Sequence, residues 1–267
     1  FVLLLGHAHP DSSFPDSHLP AAHLDLNEET LATMKSNLRC DAIASDDAYA
    51  IQDDFASPLP IAIGRVPART NEEALRILER TRSYEAHPPR GAGRAQVEII
   101  AAESGDGARF NQLTEWLLKF LGEEYMPADY RWHVLHGSPH SAYTYPIEGF
   151  PHEAARRLDQ EALLVTYLTH GSSSRLGPVV SADGRRERIL DHDDLSMIQN
   201  AGTSIVTILA CGAGEYDLEG DDISMAEALL LHPDGAAATY AASRITFAAP
   251  NARLGKDTFQ GLLIDRT

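Results

Sequence analysis

His170 and Cys211 are the two residues of this chain whose types and settings suit covalent chemistry. Each stands just past an apolar run and each is followed by glycine, in Thr169-His170-Gly171-Ser172 and in Cys211-Gly212-Ala213-Gly214. A cysteine attacks a carbonyl as its thiolate, which a neighbouring imidazole promotes. The leaving amine then needs a proton, which the imidazolium can supply. Two N–H donors must face the developing oxyanion. Those of Gly171 and Cys211 are the candidates, because a glycine after the histidine lets backbone approach the scissile carbonyl closely. Taken singly, each residue has a plainer reading: the cysteine as a small buried hydrophobe, the histidine as a satisfied core side chain.

The elements that must position this pair are legible as strands. Ala162-Leu163-Leu164-Val165-Thr166-Tyr167-Leu168 and Ser204-Ile205-Val206-Thr207-Ile208-Leu209-Ala210 are short apolar runs rich in Val, Ile, Thr and Tyr, the pattern of buried strands. Between them, residues 193–202 read as a short helix with acidic residues first and Gly202 last. Strand, helix, strand gives a parallel pair with a right-handed crossover. Both strands then end at one edge of the sheet, where open α/β folds place their ligands.

Further strand candidates are residues 2–5, 60–63, 97–102, 131–135 and 235–242. Thr70-Asn71-Glu72-Glu73 and Ser224-Met225-Ala226-Glu227 are capping boxes that open helices. The first helix carries Leu75, Leu78 and Tyr84 on about one face and ends before Pro88-Pro89. Another carries Phe110, Leu113, Leu117 and Leu121, with Gly122 placed to stop it. Alternating strands and helices predict an α/β fold, a mostly parallel sheet covered by helices on both faces. The Pro/Gly-rich stretch 86–95 is the expected boundary between a front subdomain, 1–90, and a catalytic subdomain, 91–267.

Composition narrows the partners. With 39 acidic against 22 basic residues the net charge is −17, which disfavours nucleic acid and anionic membrane surfaces. No apolar stretch approaches the ~20 residues a membrane-spanning helix needs. Two cysteines, Cys40 and Cys211, make no disulfide framework. The chain opens on Phe1 and runs straight into a strand, as a piece of a longer polypeptide would.

Together these motifs resemble the gingipain-type cysteine peptidases, distant relatives of caspases and legumains. The resemblance rests on His170-Gly171-Ser172, on Cys211-Gly212-Ala213-Gly214-Glu215-Tyr216, and on the small-residue strand Gly235-Ala236-Ala237-Ala238 followed by Ala242-Ser243-Arg244 and Ala249-Pro250-Asn251. Upstream, Gly64-Arg65-Val66-Pro67-Ala68-Arg69-Thr70 fits the family's Gly-Arg-x-Pro-x-Arg-Thr segment. It implies a caspase-like three-layer sandwich and a cysteine-type endopeptidase acting on proteins or peptides without a required cofactor. It also implies a secreted or cell-surface setting. Glu103 matches a family glutamate beside the catalytic histidine, where it would orient the imidazole; its other reading is a solvated loop acid. Leu176 stands where the family often has a tryptophan, and the front βα units of the family are missing. The stretch Asp106-Gly107-Ala108-Arg109 leaves P1 preference open.

Two competing signals point to metals. His7, His9 and Asp11 follow a strand in the manner of metal-dependent hydrolases, although Ser12-Ser13 break the deacetylase motif; His133, His136 and His140 cluster without completing a set. The loop acids Asp217, Glu219, Asp221 and Asp222 could hold a structural calcium, although EF-hand spacing is absent and a solvated loop is the simpler reading. A third class is a peptidase fold that has lost activity and serves as a binding module.

Overall fold

A computed structural model describes residues 1–8, 19–24, 28, 32, 43–50, 61–87, 91–102, 108–199 and 204–265. In chain order its strands begin with β1 (Val2–Leu5), β2 (His23–Leu24), β3 (Ile43–Ala44), β4 (Ile63–Val66), β5 (Gln96–Ala101) and β6 (Arg131–His136). They continue with β7 (Leu164–Leu168), β8 (Arg175–Leu176), β9 (Val179–Val180), β10 (Arg186–Glu187), β11 (Leu190–Asp191), β12 (Ile205–Leu209) and β13 (Ala238–Ala241). The helices are α1 (Asn71–Ala86), α2 (Ala108–Phe120), α3 (Phe150–Leu158), α4 (Met225–Leu231) and α5 (Ala248–Phe259).

The central sheet has the order β13-β12-β7-β5-β6, and every pairing in it is parallel. A parallel sheet must be covered on both faces, so its strands carry apolar residues on both sides. All residues of β5 and β7 are accordingly buried. On one face Val165, Tyr167, Val206 and Ile208 pack with Phe150 and Leu158 of α3 and Met225 and Leu229 of α4. On the other, Val97, Ile99, Leu164, Leu168 and Leu209 pack with Leu117 and Leu118 of α2 and Phe259 of α5. Each fully buried side chain of this size contributes roughly 1.5–3 kcal/mol. The result is a three-layer α/β sandwich of the caspase-like kind.

Differences from the sequence reading have local causes. The strand expected at 60–63 is Ile63–Val66, pairing in parallel with β1 from Val2↔Ile63 to Leu5↔Val66; Gly64 is part of it rather than its end. In α1 the residue packed into the core is Ile77, beside Leu78, Val66 and Leu230, whereas Leu75 is exposed. Gly122 does not stop its helix: a wider helical turn continues through Tyr125. A side-chain carbon at 122 would lie 2.5 Å from the Trp132 ring, so glycine is there to let the indole approach. Both capping boxes form, Thr70 with Glu73 and Ser224 with Glu227. Among its described residues the crossover from β7 to β12 holds two short antiparallel pairs, β8 with β11 and β9 with β10, and a single helical turn, Asp193–Met197; Gly202, the expected end of that helix, lies outside the described residues.

Candidate active site

Neighbouring strands β7 and β12 run in register from Leu164↔Ile205 to Leu168↔Leu209. Carried two residues past each strand, that register sets His170 beside Cys211. Adjacent strands lie about 4.8 Å apart, and positions two residues on from a paired couple project to the same face. That face is the one under α2 and α5, since Leu168 and Leu209 both belong to its core. His170 and Cys211 indeed line a single cavity of about 220 Å³, with Thr114 and Leu117 from α2 and Asn251 and Ala252 from α5. Gly171 packs tightly here. A side-chain carbon on it would lie 2.9 Å from Ala210 Cβ and 3.2 Å from the Cys211 carbonyl oxygen.

The Cys211 thiol is free and half-buried. Its sulfur accepts from the Thr246 N–H at 3.4 Å and lies 3.6 Å from the Thr246 carbonyl oxygen and 3.7 Å from its hydroxyl. Asn251 Nδ2 donates to that hydroxyl at 2.8 Å. An N–H aimed at sulfur is placed to stabilise negative charge developing there.

The loop after Cys211 is tied to the loop after β13. Gly212 N–H donates to the Arg244 carbonyl at 3.0 Å and Gly214 N–H to that of Ala242 at 2.9 Å. The Arg244 guanidinium grips Asp217 through two 2.7 Å hydrogen bonds, and His23 adds a third contact at 3.0 Å. Burial alone would raise the Asp217 carboxyl, but the bonds and charge of Arg244, then His23, hold it below the usual carboxylate range. Burial pushes the neighbouring Glu215 carboxyl up, against the pull of Arg244. Arg65, stacked over the Tyr216 ring at 5.1 Å, donates to Asp46 and to the carbonyls of Gly6 and Leu19. Segments far apart in the chain thus converge on the loop that carries the thiol.

Backbone hydrogen bonds tie down the loop that carries His170. Gly171 and Leu176 form an antiparallel bridge whose hydrogen bonds come from their neighbours. Ser172 N–H donates to Arg175 O at 2.9 Å and Gly177 N–H to His170 O at 3.0 Å. In such a pair the central residue's own N–H turns outward, away from the partner segment. Leu176 is fully buried in the core on the opposite face.

Glu103, Cys40, His9 and Asp11 lie outside the described residues. His7 is buried, with Nδ1 3.7 Å from Glu227 and Nε2 3.2 Å from the Arg69 guanidinium. Among the described residues no three His, Cys, Asp or Glu side chains gather as metal ligands. His133 sits on Glu98 and His136 on Glu115, in separate pairs. Of the loop acids Asp217 is neutralised as above, while Glu219, Asp221 and Asp222 are exposed. Thr246 belongs to no motif; Arg244 belongs to the Ala242-Ser243-Arg244 segment, which marks it without showing that it grips Asp217.

The sequence model for peptidase family C25 matches residues 1–266. A comparison with curated proteins gives no match. Among solved structures the fold is similar to one described as a protease, at TM-score 0.60 and 18% identity, covering 79% of this chain and 42% of that one. This chain therefore spans about two fifths of that protein's length.

Proposed function

The chain belongs to peptidase family C25, and from that premise we propose that it hydrolyses peptide bonds through a thioester on Cys211. The observation that carries this reading is the β7/β12 register, which sets His170 beside Cys211 on the wall of one cavity.

In the first half-reaction the Cys211 sulfur adds to the scissile carbonyl carbon and the carbonyl electron pair moves to oxygen. Collapse of that intermediate breaks the C–N bond, and the amine leaves with a proton from the His170 imidazolium. His170, now neutral, takes a proton from water, which attacks the thioester. The second collapse releases the carboxylic acid product and restores the sulfur. The N–H groups of Gly171 and Cys211 hold the oxyanion in both steps, a contribution of roughly 3 kcal/mol per donor. The outward turn of the Gly171 N–H fits that role. Thr246 steadies the sulfur through its N–H.

Glu103 completes the reading as the group that orients His170. Ala101 of β5 pairs with Leu168, and Glu103 follows Ala101 in sequence by the same two residues that separate His170 from Leu168. Substrates are proteins or peptides. Among the described residues no helix is long and apolar enough to cross a membrane.

The test is cleavage of an unbiased peptide library by the native chain and by Cys211→Ala. Cleavage by the native chain alone, blocked by iodoacetamide and protected by substrate, is the expected outcome. Near-native hydrolysis by Cys211→Ala would refute the thioester route.

A further inference from the structure

We propose that the cavity beside Cys211 is the subsite for the substrate's P1 side chain and that it selects an uncharged, apolar one. This rests on the peptidase reading and names its substrate class. The cavity lies between the sheet and its helices, lined by Leu168 and Leu209 from the strand ends, Leu113 and Leu117 of α2, and Phe247 and Ala252 at the start of α5. Leu117, Leu168 and Leu209 are almost wholly buried, at 4–5% exposure, so a side chain that enters leaves water behind.

Among the described lining residues, the dyad apart, none carries an ionisable group. The remaining polar lining is neutral, Thr114, Thr169, Thr246 and Asn251, with Asn251 bonded to the Thr246 hydroxyl and the Thr246 N–H to the sulfur. A charged P1 group would be desolvated there without a described counter-charge, which is costly. An aliphatic or aromatic one gains from burial at every methylene. The same walls that hold the core together thereby set the chemistry of recognition, because Leu117, Leu168 and Leu209 serve both.

The experiment profiles P1 in a peptide library with the native chain, Ala252→Leu, Leu113→Asp and Cys211→Ala. The native chain should favour Leu, Met or Phe over Ala by roughly 100-fold in kcat/KM, and over Arg, Lys or Asp by more. Ala252→Leu shortens the cavity and should lower the Leu-to-Ala preference ratio about tenfold. Leu113→Asp supplies a carboxylate and should raise cleavage after Arg relative to Leu; it stands in should Ala252→Leu fail to fold. A native preference for Arg or Lys, removed by Asp106→Asn, would overturn the apolar subsite while leaving the peptidase reading intact. So would an unchanged P1 profile in a folded Ala252→Leu and in Leu113→Asp. Absence of any Cys211-dependent cleavage would refute the peptidase reading, and the subsite with it.

Discussion

The loops that follow β12 and β7 leave adjacent parallel strands at the same height; both are tied by backbone hydrogen bonds, and the first is braced by side chains as well. To the backbone bonds of Gly212 and Gly214 the Cys211 loop adds side chains: Arg244 on Asp217, His23 on Asp217, and Asn251 on Thr246. The His170 loop is fixed by the Gly171–Leu176 bridge and by N–H groups from Ser172 and Gly177. Farther along the same loop, Met225 N–H donates to Ser173 O at 2.6 Å. Backbone bonds survive most substitutions, because every residue but proline brings the same donor and acceptor. The nucleophile's half is therefore the one that side-chain changes should disturb, and the base's half the one that should tolerate them.

The dyad itself is the exception to that contrast and gives the largest expected effect. Cys211→Ala, His170→Ala and the double change should each lose on the order of 10⁴ to 10⁶ in kcat, because residues acting as one unit are not additive. Single-turnover kinetics on one good peptide would check this. Losses that multiply in the double variant would mean that the two halves act independently.

Next comes the clamp on the Cys211 side. Asp217→Asn leaves the Arg244 guanidinium, only 15% exposed, without its full counter-charge and should cost about 3 kcal/mol of stability. The pH dependence has a definite sign. Asp217 is held below the ordinary carboxylate value, so its contribution is complete above about pH 4 and is lost as pH falls through the lower folded value. Glu215 is shifted the other way; its burial cost is relieved by protonation as pH falls. Urea midpoints measured from pH 5 to pH 3 should therefore drop more steeply for the native chain than for Asp217→Asn. Parallel slopes would remove Asp217 from the account.

Asn251→Ala tests the finer support of the sulfur. Loss of one hydrogen bond to Thr246 should lower kcat about fivefold, a change of about 1 kcal/mol. The rate of Cys211 alkylation should change in the same variant, which a merely structural defect would not single out. On the other side, Ser172→Ala removes a hydroxyl whose nearest acceptor is 3.4 Å away, and kcat should stay within about twofold. A larger loss there would break the contrast between the halves.

How much of this could be read from residues alone follows the same division. The strands β7 and β12 were legible because a buried parallel strand is a run of Val, Ile, Leu and Thr bounded by polar or glycine residues. Both capping boxes were legible because their bonds join residues three apart. Thr246 was not, and Arg244 stood out within Ala242-Ser243-Arg244 but not as a clamp on Asp217. Their meaning comes from a sulfur and a carboxylate held by a different loop, and neither sits in a periodic element. Helix spacing puts Leu75, Leu78 and Tyr84 on about one face but does not tell which residues meet Leu230, and Ile77 is the one buried there. The crossover's two-residue strands are too short to show alternation, so only the acidic start of a helix stood out there.

The smallest expected effect tests the side-chain support proposed for the base, Glu103. Glu103→Gln keeps an acceptor oxygen and removes only the charge, so an imidazole that leans on it loses stabilisation of its protonated form but not its orientation. The expected result is about a threefold fall in kcat with KM unchanged, well short of what losing the bond would cost. Because the lost interaction acts on imidazolium, the fall should come with a shift of the kcat–pH profile on the limb that reports His170. Glu103→Ala should fall further than Glu103→Gln, since it removes the acceptor too. If both variants turn over like the native chain across pH, Glu103 is a solvated acid and takes no part in orienting His170. The contrast between a nucleophile loop braced by side chains and a base loop tied by backbone bonds would then stand without Glu103 in it.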